Sequence, residues 1–148
     1  MSNRTAFLEM IAYSEGTLGH GDNGYNVIVG GALFHGYADH PRKLVKLSKT
    51  LSSTAAGRYQ LLARYFDAYK KRLCLHDFSP SCQDAIALQQ IRECKALPDI
   101  DAGRIKQAVT KCRQIWASLP GAGYGQHENQ LGPLLAAYKK AGGTLSAG

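Results

Sequence analysis

The sequence predicts an α+β fold in which helices dominate and one small β-hairpin is the main extended element. Apolar residues recur at helical spacing in several segments, beginning with residues 4–14. Extended apolar chain over residues 25–34 is interrupted by Gly30-Gly31, a pair typical of a hairpin turn. Because the chain has 148 residues, we expect one domain that spans residues 1–148.

The first predicted helix places Phe7 and Ile11 on an apolar face and ends near Gly16, since glycine commonly terminates helices. Glu15 then stands at the helix end, directly before the glycine-rich loop of residues 16–24. A cleft there can shield the carboxyl group from water, and shielding raises its pKa and keeps it protonated. Protonation of a glycosidic oxygen requires such a group, although most single glutamates lie on the surface.

Four more helices are predicted further along the chain. Ser79-Pro80 is the clearest start signal, because serine is favoured at the N-cap and proline is tolerated in the first turn. Residues 36–57 are predicted to be loop, since they are rich in Ser, Thr and Lys and contain Pro41. The four predicted helices cover residues 59–73, 79–94, 101–116 and 128–141.

The chain is basic, with 18 Lys and Arg against 11 Asp and Glu and a formal net charge of +7. Such a charge attracts polyanions, among them nucleic acids, anionic cell-wall polymers and acidic lipid surfaces, and it also keeps a protein in solution. No nucleic-acid-binding motif accompanies the basic residues, so we do not expect a nucleic acid as partner.

We expect no cofactor and no metal. The G-x-G-x-x-G pattern at residues 19–24 lacks the preceding strand and following helix that a dinucleotide site needs. Five histidines and aspartates fall in the loop and hairpin region, but without the helical spacing of a metal site. These five are His20, Asp22, His35, Asp39 and His40.

The four cysteines have no C-x-x-C spacing and are predicted to be free, partly buried thiols, with a bridge after export left open. They are Cys74, Cys82, Cys94 and Cys112. The longest apolar stretch, residues 27–34, is too short to cross a bilayer, and Glu9 interrupts the apolar N-terminal segment. We therefore expect synthesis in the cytoplasm without a signal peptide, no membrane insertion, and retention until another factor releases the protein.

Several segments together resemble one family. The matching segments are residues 6–8, 14–16, 24–25, 27–31, 39–45, 56–62, 77–80, 87–91, 115–126 and 141–144. With them the chain resembles the lambda-type phage endolysins, which are peptidoglycan lytic transglycosylases with a lysozyme-like fold. The resemblance covers residues 4 to 144. It implies a mostly helical fold whose small hairpin lines a substrate cleft.

The resemblance also implies the site. Glu15, in a Ser-Glu-Gly step, would be the catalytic residue. Tyr59 and Gln60, in a Gly-Arg-Tyr-Gln step, and Tyr124, in a Gly-Tyr-Gly loop, would contact the glycan. The less favoured alternative is that Tyr59 is a core residue of its predicted helix.

The implied activity is lysis of the host cell by cleavage of the β-1,4 bond between N-acetylmuramic acid and N-acetylglucosamine without water, leaving 1,6-anhydro ends. One alternative is a hydrolytic lysozyme (muramidase) with Asp22, Asp39 or Asp67 as its second carboxylate. Another is a non-catalytic module that binds the cell wall. The implied partner is the peptidoglycan glycan strand, bound by a monomer that a holin releases to the periplasm.

Overall fold

The computed structural model describes residues 2–121 and 128–146. In these ranges the chain forms six helices and one antiparallel sheet of two short strands, which confirms the α+β class. By its internal contacts the chain divides into two compact units. The terminal unit contains residues 1–16 and 87–148, and the central unit contains residues 17–86. The elements are α1 (Asn3–Glu15), β1 (Val45–Lys46), β2 (Ser52–Ser53), α2 (Ala63–Arg72), α3 (Pro80–Glu93), α4 (Leu97–Asp101), α5 (Ile105–Cys112) and α6 (Leu131–Lys140).

The terminal unit is built around α1, which packs against α4 and α6. The helix begins where the Ser2 hydroxyl accepts a hydrogen bond of 3.1 Å from the backbone N–H of Thr5. It ends where Gly16 takes the left-handed conformation and donates its N–H to the Tyr13 carbonyl at 3.1 Å. The side chains of α1 that are buried occur on nearly every side, as expected for a helix enclosed by others. They are Ala6, Phe7, Leu8, Met10, Ile11, Ala12 and Ser14.

Two helix predictions in this unit need correction. The segment predicted over residues 101–116 is helical only from Ile105 to Cys112. A separate short helix, α4, precedes it, with Pro98 in its first turn, where the missing N–H and fixed φ of proline suit a helix start. The last helix begins at Leu131 instead of Glu128.

The central unit has an aromatic core. The ring of Phe78, which is fully buried, lies 5.1 Å from that of Phe66, 4.9 Å from that of His40 and 6.1 Å from that of Phe34, measured between centroids. Ring pairs at such distances add to the stabilisation that apolar burial provides. Phe78 lies two residues before α3, and Ile86 of α3 belongs to the same buried cluster, so the beginning of this helix packs against the core.

Two further details of the central unit differ from prediction. The turn at Gly30-Gly31 is confirmed. The segments on its two sides form no hairpin strands, however, and are joined by a single antiparallel β-bridge between Val27 and Leu33. The sheet lies instead at residues 45–53, where Val45 pairs with Ser53, inside a segment predicted as loop. Strands of two residues carry no alternating pattern that a sequence could show. Within the described ranges, no helix combines the length and the apolar character that crossing a membrane requires.

Candidate active site

Glu15 is the last residue of α1, as predicted, and its side chain is partly buried in the terminal unit. The chain leaves the helix at once, because Gly16 has a φ of +78°. The carboxyl group therefore stands at the negative end of the helix dipole, which disfavours its ionised form.

A chain of hydrogen bonds leads from Asn129 to this carboxyl group. The hydroxyl of Ser118 donates to Oε2 of Glu15. Its oxygen lies 2.7 Å from the hydroxyl oxygen of Ser14, a buried residue of α1. The side-chain amide of Asn129 donates to the hydroxyl of Ser14 at 3.1 Å and to the backbone carbonyl of Ser14 at 2.9 Å. The backbone N–H of Asn129 also donates to the Ser118 carbonyl at 2.7 Å.

The number of available protons fixes the direction of this chain. An amide NH2 can only donate, so Ser14 must accept from Asn129. Ser14 then donates its single hydroxyl proton to Ser118, and Ser118 donates its own to Oε2 of Glu15. Each of the two serine hydroxyls therefore accepts one hydrogen bond and donates one, always in the direction of Glu15. The arrangement holds Oε2 as an acceptor and leaves Oε1 as the oxygen that can carry a proton.

Burial raises the pKa of Glu15 to about 7, and the hydrogen bond from Ser118 opposes this rise. The expectation that a carboxyl group at this position has a raised pKa is thereby confirmed. At neutral pH the group exists in both its protonated and its ionised form. It can therefore give up a proton and take one back, which is what an acid/base residue needs.

Tyr59, predicted to contact glycan, is only 5% exposed in the central unit. Its hydroxyl donates to the carboxylate of Asp84 at 2.6 Å and accepts from the guanidinium of Arg58 at 3.2 Å. Burial and the neighbouring Asp84 raise the pKa of Tyr59. The residue lies in a turn instead of a helix, because Ala56 and Leu61 pair across residues 57–60. These contacts give Tyr59 a packing role inside its unit.

Gln60 is partly buried, and its side-chain amide donates to the carbonyls of Gly57 at 2.9 Å and Val27 at 3.3 Å. Its backbone is left-handed, with a φ of +54°. Gln60 thus closes the turn that follows Gly57. Tyr124, the third predicted glycan contact, lies outside the described residues.

The three aspartates considered as a second carboxylate all have partners in the central unit. Arg42 binds the carboxylate of Asp39 at 2.9 Å and that of Asp67 at 2.5 Å, and its guanidinium lowers the pKa of both. Asp22 accepts a hydrogen bond of 2.6 Å from the hydroxyl of Tyr37.

His40 is a core residue of the central unit. One ring nitrogen accepts from the backbone N–H of Arg42 at 2.9 Å, so the other donates to the Leu61 carbonyl at 2.8 Å. Burial lowers the pKa of His40 and favours this neutral form. Among the residues that the structure describes, no three His, Cys, Asp or Glu side chains are grouped to hold a metal ion.

Sequence reasoning missed Ser14, Ser118 and Asn129 as parts of the site. Ser14 and Ser118 lie in segments that carried the family resemblance, yet neither was assigned a role. A signal for Ser14 was present, since a serine next to the acidic residue interrupts an otherwise apolar helix face. The contact of Ser118 with Glu15 joins residues 103 positions apart, which no local pattern reveals.

Known proteins resemble this chain over nearly its whole length. A family model described as Endolysin matches residues 5–145. The endolysin of Escherichia phage lambda is 60% identical over 97% of this chain and 94% of its own length, and that of Escherichia phage P2 is 49% identical over 95% and 93%.

Solved structures agree. The lysozyme of phage lambda in complex with a chitohexasaccharide has a TM-score of 0.95 at 60% identity, covering 97% of this chain and 96% of that one. A second structure of the lysozyme of phage lambda has a TM-score of 0.90. The expected lysozyme-like fold and the resemblance to lambda-type endolysins are confirmed. The chain belongs to the endolysin family, whose enzymes degrade peptidoglycan to lyse the phage's host cell.

Proposed function

We propose that this endolysin is a lytic transglycosylase in which Glu15 is the only essential acid and base. The bond cleaved is the β-1,4 linkage between N-acetylmuramic acid and N-acetylglucosamine, and the product carries a 1,6-anhydro-N-acetylmuramic acid end. The observation that carries the proposal is the carboxyl group of Glu15, whose pKa lies near neutrality and whose Oε2 is held by Ser118.

In the first step, protonated Glu15 gives the proton on Oε1 to the bridging oxygen, and the bond from that oxygen to C1 of the muramic unit breaks. In the second step, the resulting carboxylate removes the proton of the C6 hydroxyl of the same sugar. The C6 oxygen then forms a bond to C1 and closes the anhydro ring. One carboxyl group serves both steps, and no water is consumed, because the nucleophile is part of the substrate.

The surroundings of Glu15 favour one carboxyl group acting alone. Its pKa is set by burial and by the hydroxyl of Ser118, with no acidic side chain among the causes. Asp39 and Asp67, considered for a hydrolytic second carboxylate, are held by Arg42 in their ionised form. A hydrolase would need a second carboxyl group that is available to activate water or to attack C1.

A non-catalytic wall-binding module is the less favoured alternative. Binding a glycan does not require a carboxyl group with a pKa near 7, nor a chain of three donors that leads to one of its oxygens. The buried carboxyl group is costly in a site that only binds, because it destabilises the fold once it ionises.

The substrate follows from a relative. The lambda enzyme was solved with a chitohexasaccharide, a chain of β-1,4-linked N-acetylglucosamine that resembles the peptidoglycan backbone. We propose that Tyr59, Gln60 and Tyr124 border the glycan site in this chain. For Tyr59 and Gln60 the hydrogen bonds within the central unit support a role in shaping that site, with Gln60 the more exposed of the two.

We further propose that the whole chain acts as one catalytic domain and as a monomer, without metal or cofactor. It is made in the host cytoplasm, and a holin lets it reach the peptidoglycan of the periplasm. The net charge of +7 favours its approach to anionic cell-wall polymers.

The products decide between the proposal and its hydrolytic alternative. Purified sacculi digested with the enzyme and analysed by mass spectrometry should release muropeptides with anhydromuramic ends, which lack the water that a hydrolase adds. Muropeptides that carry only reducing muramic ends would establish a hydrolytic lysozyme instead.

The pH dependence tests the state of Glu15. We expect kcat/KM on peptidoglycan to fall as the pH rises above about 7, since the first step requires the protonated form. Ser118→Ala removes a hydrogen bond that stabilises the ionised form, so this decline should move to higher pH, with kcat about tenfold lower because the carboxyl group loses its orientation.

Thr110→Ala, on the exposed side of α5, is the matched control and should leave the profile unchanged. A Ser118→Ala enzyme with lower activity but the wild-type pH profile would mean that Ser118 acts on the fold and not on the carboxyl group.

A further inference from the structure

Two of the four cysteines meet in the terminal unit. Cys94 follows the end of α3 directly, and Cys112 is the last residue of α5. Both are buried, with exposures of 9% and 0%, and both are free thiols. Cys74 is exposed and Cys82 is half-buried, and these two belong to the central unit.

Contacts on both sides of Cys112 bring its segment against Cys94. Before it, the ammonium of Lys111 donates to the carbonyl of Lys95 at 3.4 Å. After it, the side-chain amide of Gln114 donates to the sulfur of Cys94 at 3.5 Å. Between these contacts, the thiols of Cys94 and Cys112 lie close enough for each to shift the pKa of the other. The two sulfurs are therefore neighbours, held by the backbone and side chains around them.

The two thiols differ in reactivity. The neighbouring thiol of Cys112 lowers the pKa of Cys94, and the thiol of Cys94 together with burial raises the pKa of Cys112. Cys94 is also the more exposed of the two. Since the thiolate is the attacking species in disulfide exchange, Cys94 is the sulfur that reacts first with an outside oxidant.

We infer that Cys94 and Cys112 form an intramolecular disulfide when the protein meets a disulfide oxidant. The Cys94 thiolate attacks one sulfur of the oxidant, whose S–S bond breaks and releases one thiolate. The Cys112 thiol loses its proton to that thiolate and attacks the Cys94 sulfur of the mixed disulfide, which releases the second thiolate. The second thiolate takes up the proton that Cys94 had released, so the two cysteines lose two electrons and two protons and the oxidant is reduced to two thiols.

The bridge would tie the end of α3 to the end of α5 and close a loop that contains α4. Such a loop loses conformational freedom in the unfolded chain, which stabilises the folded state. The carbonyl of Cys112 accepts hydrogen bonds from Ile115 at 2.9 Å and Trp116 at 3.2 Å, so the bridge also anchors the turn that leads to Ser118. The bridge would form whether or not Glu15 acts as proposed.

The test uses the full-length protein, reduced and then incubated in a buffer of oxidised and reduced glutathione. After the remaining thiols are blocked with iodoacetamide, intact mass spectrometry should show two blocked thiols and the loss of two hydrogen atoms. Trypsin would leave very short fragments around both cysteines, so pepsin digestion should identify the linked Cys94 and Cys112 peptides. The melting temperature should rise by roughly 5–10 °C and return to its first value with dithiothreitol.

Matched variants separate this pair from the other two cysteines. Cys94→Ser and Cys112→Ser should each abolish the bridge and the rise in melting temperature, whereas Cys74→Ser and Cys82→Ser should retain both. Blocking of all four thiols after incubation of the folded protein would overturn the inference. So would a stable glutathione adduct without a bridge, or a bridge that includes Cys74 or Cys82.

Discussion

Glu15→Gln should abolish lysis while the protein stays folded. The amide has nearly the shape of the carboxyl group and keeps an oxygen for the hydrogen bond from Ser118, but it can neither give up a proton nor take one back. We expect activity to fall about a thousandfold or more, because the same group serves as acid and as base. The measurement is the loss of turbidity of chloroform-treated Gram-negative cells.

Glu9→Gln is the matched control, since Glu9 lies in the same helix and is also partly exposed. It should retain activity close to that of the wild type. A folded Glu15→Gln protein with wild-type turnover would show that another residue carries the chemistry, whereas equal loss in both variants would point to damage to α1.

The same variant should be more stable than the wild type at alkaline pH. The pKa of Glu15 is about 7 in the folded protein against 4.5 in the unfolded chain, so the protonated form favours folding. This contribution is complete below pH 4.5 and is lost as the pH rises through 7. Because glutamine does not titrate, its advantage should grow over this window to at most roughly 3 kcal/mol. Such a gain at the expense of activity is typical of a strained catalytic site.

Local signals predicted part of the site well. The helix of residues 4–14, its end at Gly16 and the place of Glu15 at that end all follow from patterns within one segment, and the structure confirms each of them. The raised pKa of Glu15 followed from the same local setting. Ser118 and Asn129 could not be predicted in this way, because they reach Ser14 and Glu15 only through the packing of α1 against distant segments.

The turn at residues 57–60 shows the opposite case. Tyr59, Leu62 and Phe66 continue the helical spacing of the segment that follows, so the pattern predicted a helix from Tyr59. The structure starts α2 at Ala63 instead. The backbone pairing of Ala56 with Leu61 and the burial of Tyr59 compete with helix formation here and outweigh it. Both are tertiary effects that a spacing rule does not contain.

That turn should also be the most sensitive glycine position of the central unit. Gly57 has a φ of +87°, and a Cβ atom there would lie 2.4 Å from Oε1 of Gln83 and 2.8 Å from the ring of Phe78. Neither neighbour can move easily. The amide of Gln83 is bound to the Arg58 N–H at 2.9 Å and to the Tyr25 carbonyl at 3.0 Å, and Phe78 fills the aromatic core. We expect Gly57→Ala to lower the free energy of unfolding by about 3–5 kcal/mol, from backbone strain and overpacking together.

Gly31→Ala separates these two causes. Gly31 also has a positive φ, of +107°, but a Cβ atom there would meet no other atom within 4 Å. Its replacement should therefore cost about 1–2 kcal/mol, from backbone strain alone. Urea unfolding of both variants, followed by circular dichroism, measures the difference. Equal losses would mean that Gln83 and Phe78 yield to the new methyl group, and that the turn carrying Tyr59 and Gln60 is less rigidly held than its hydrogen bonds imply.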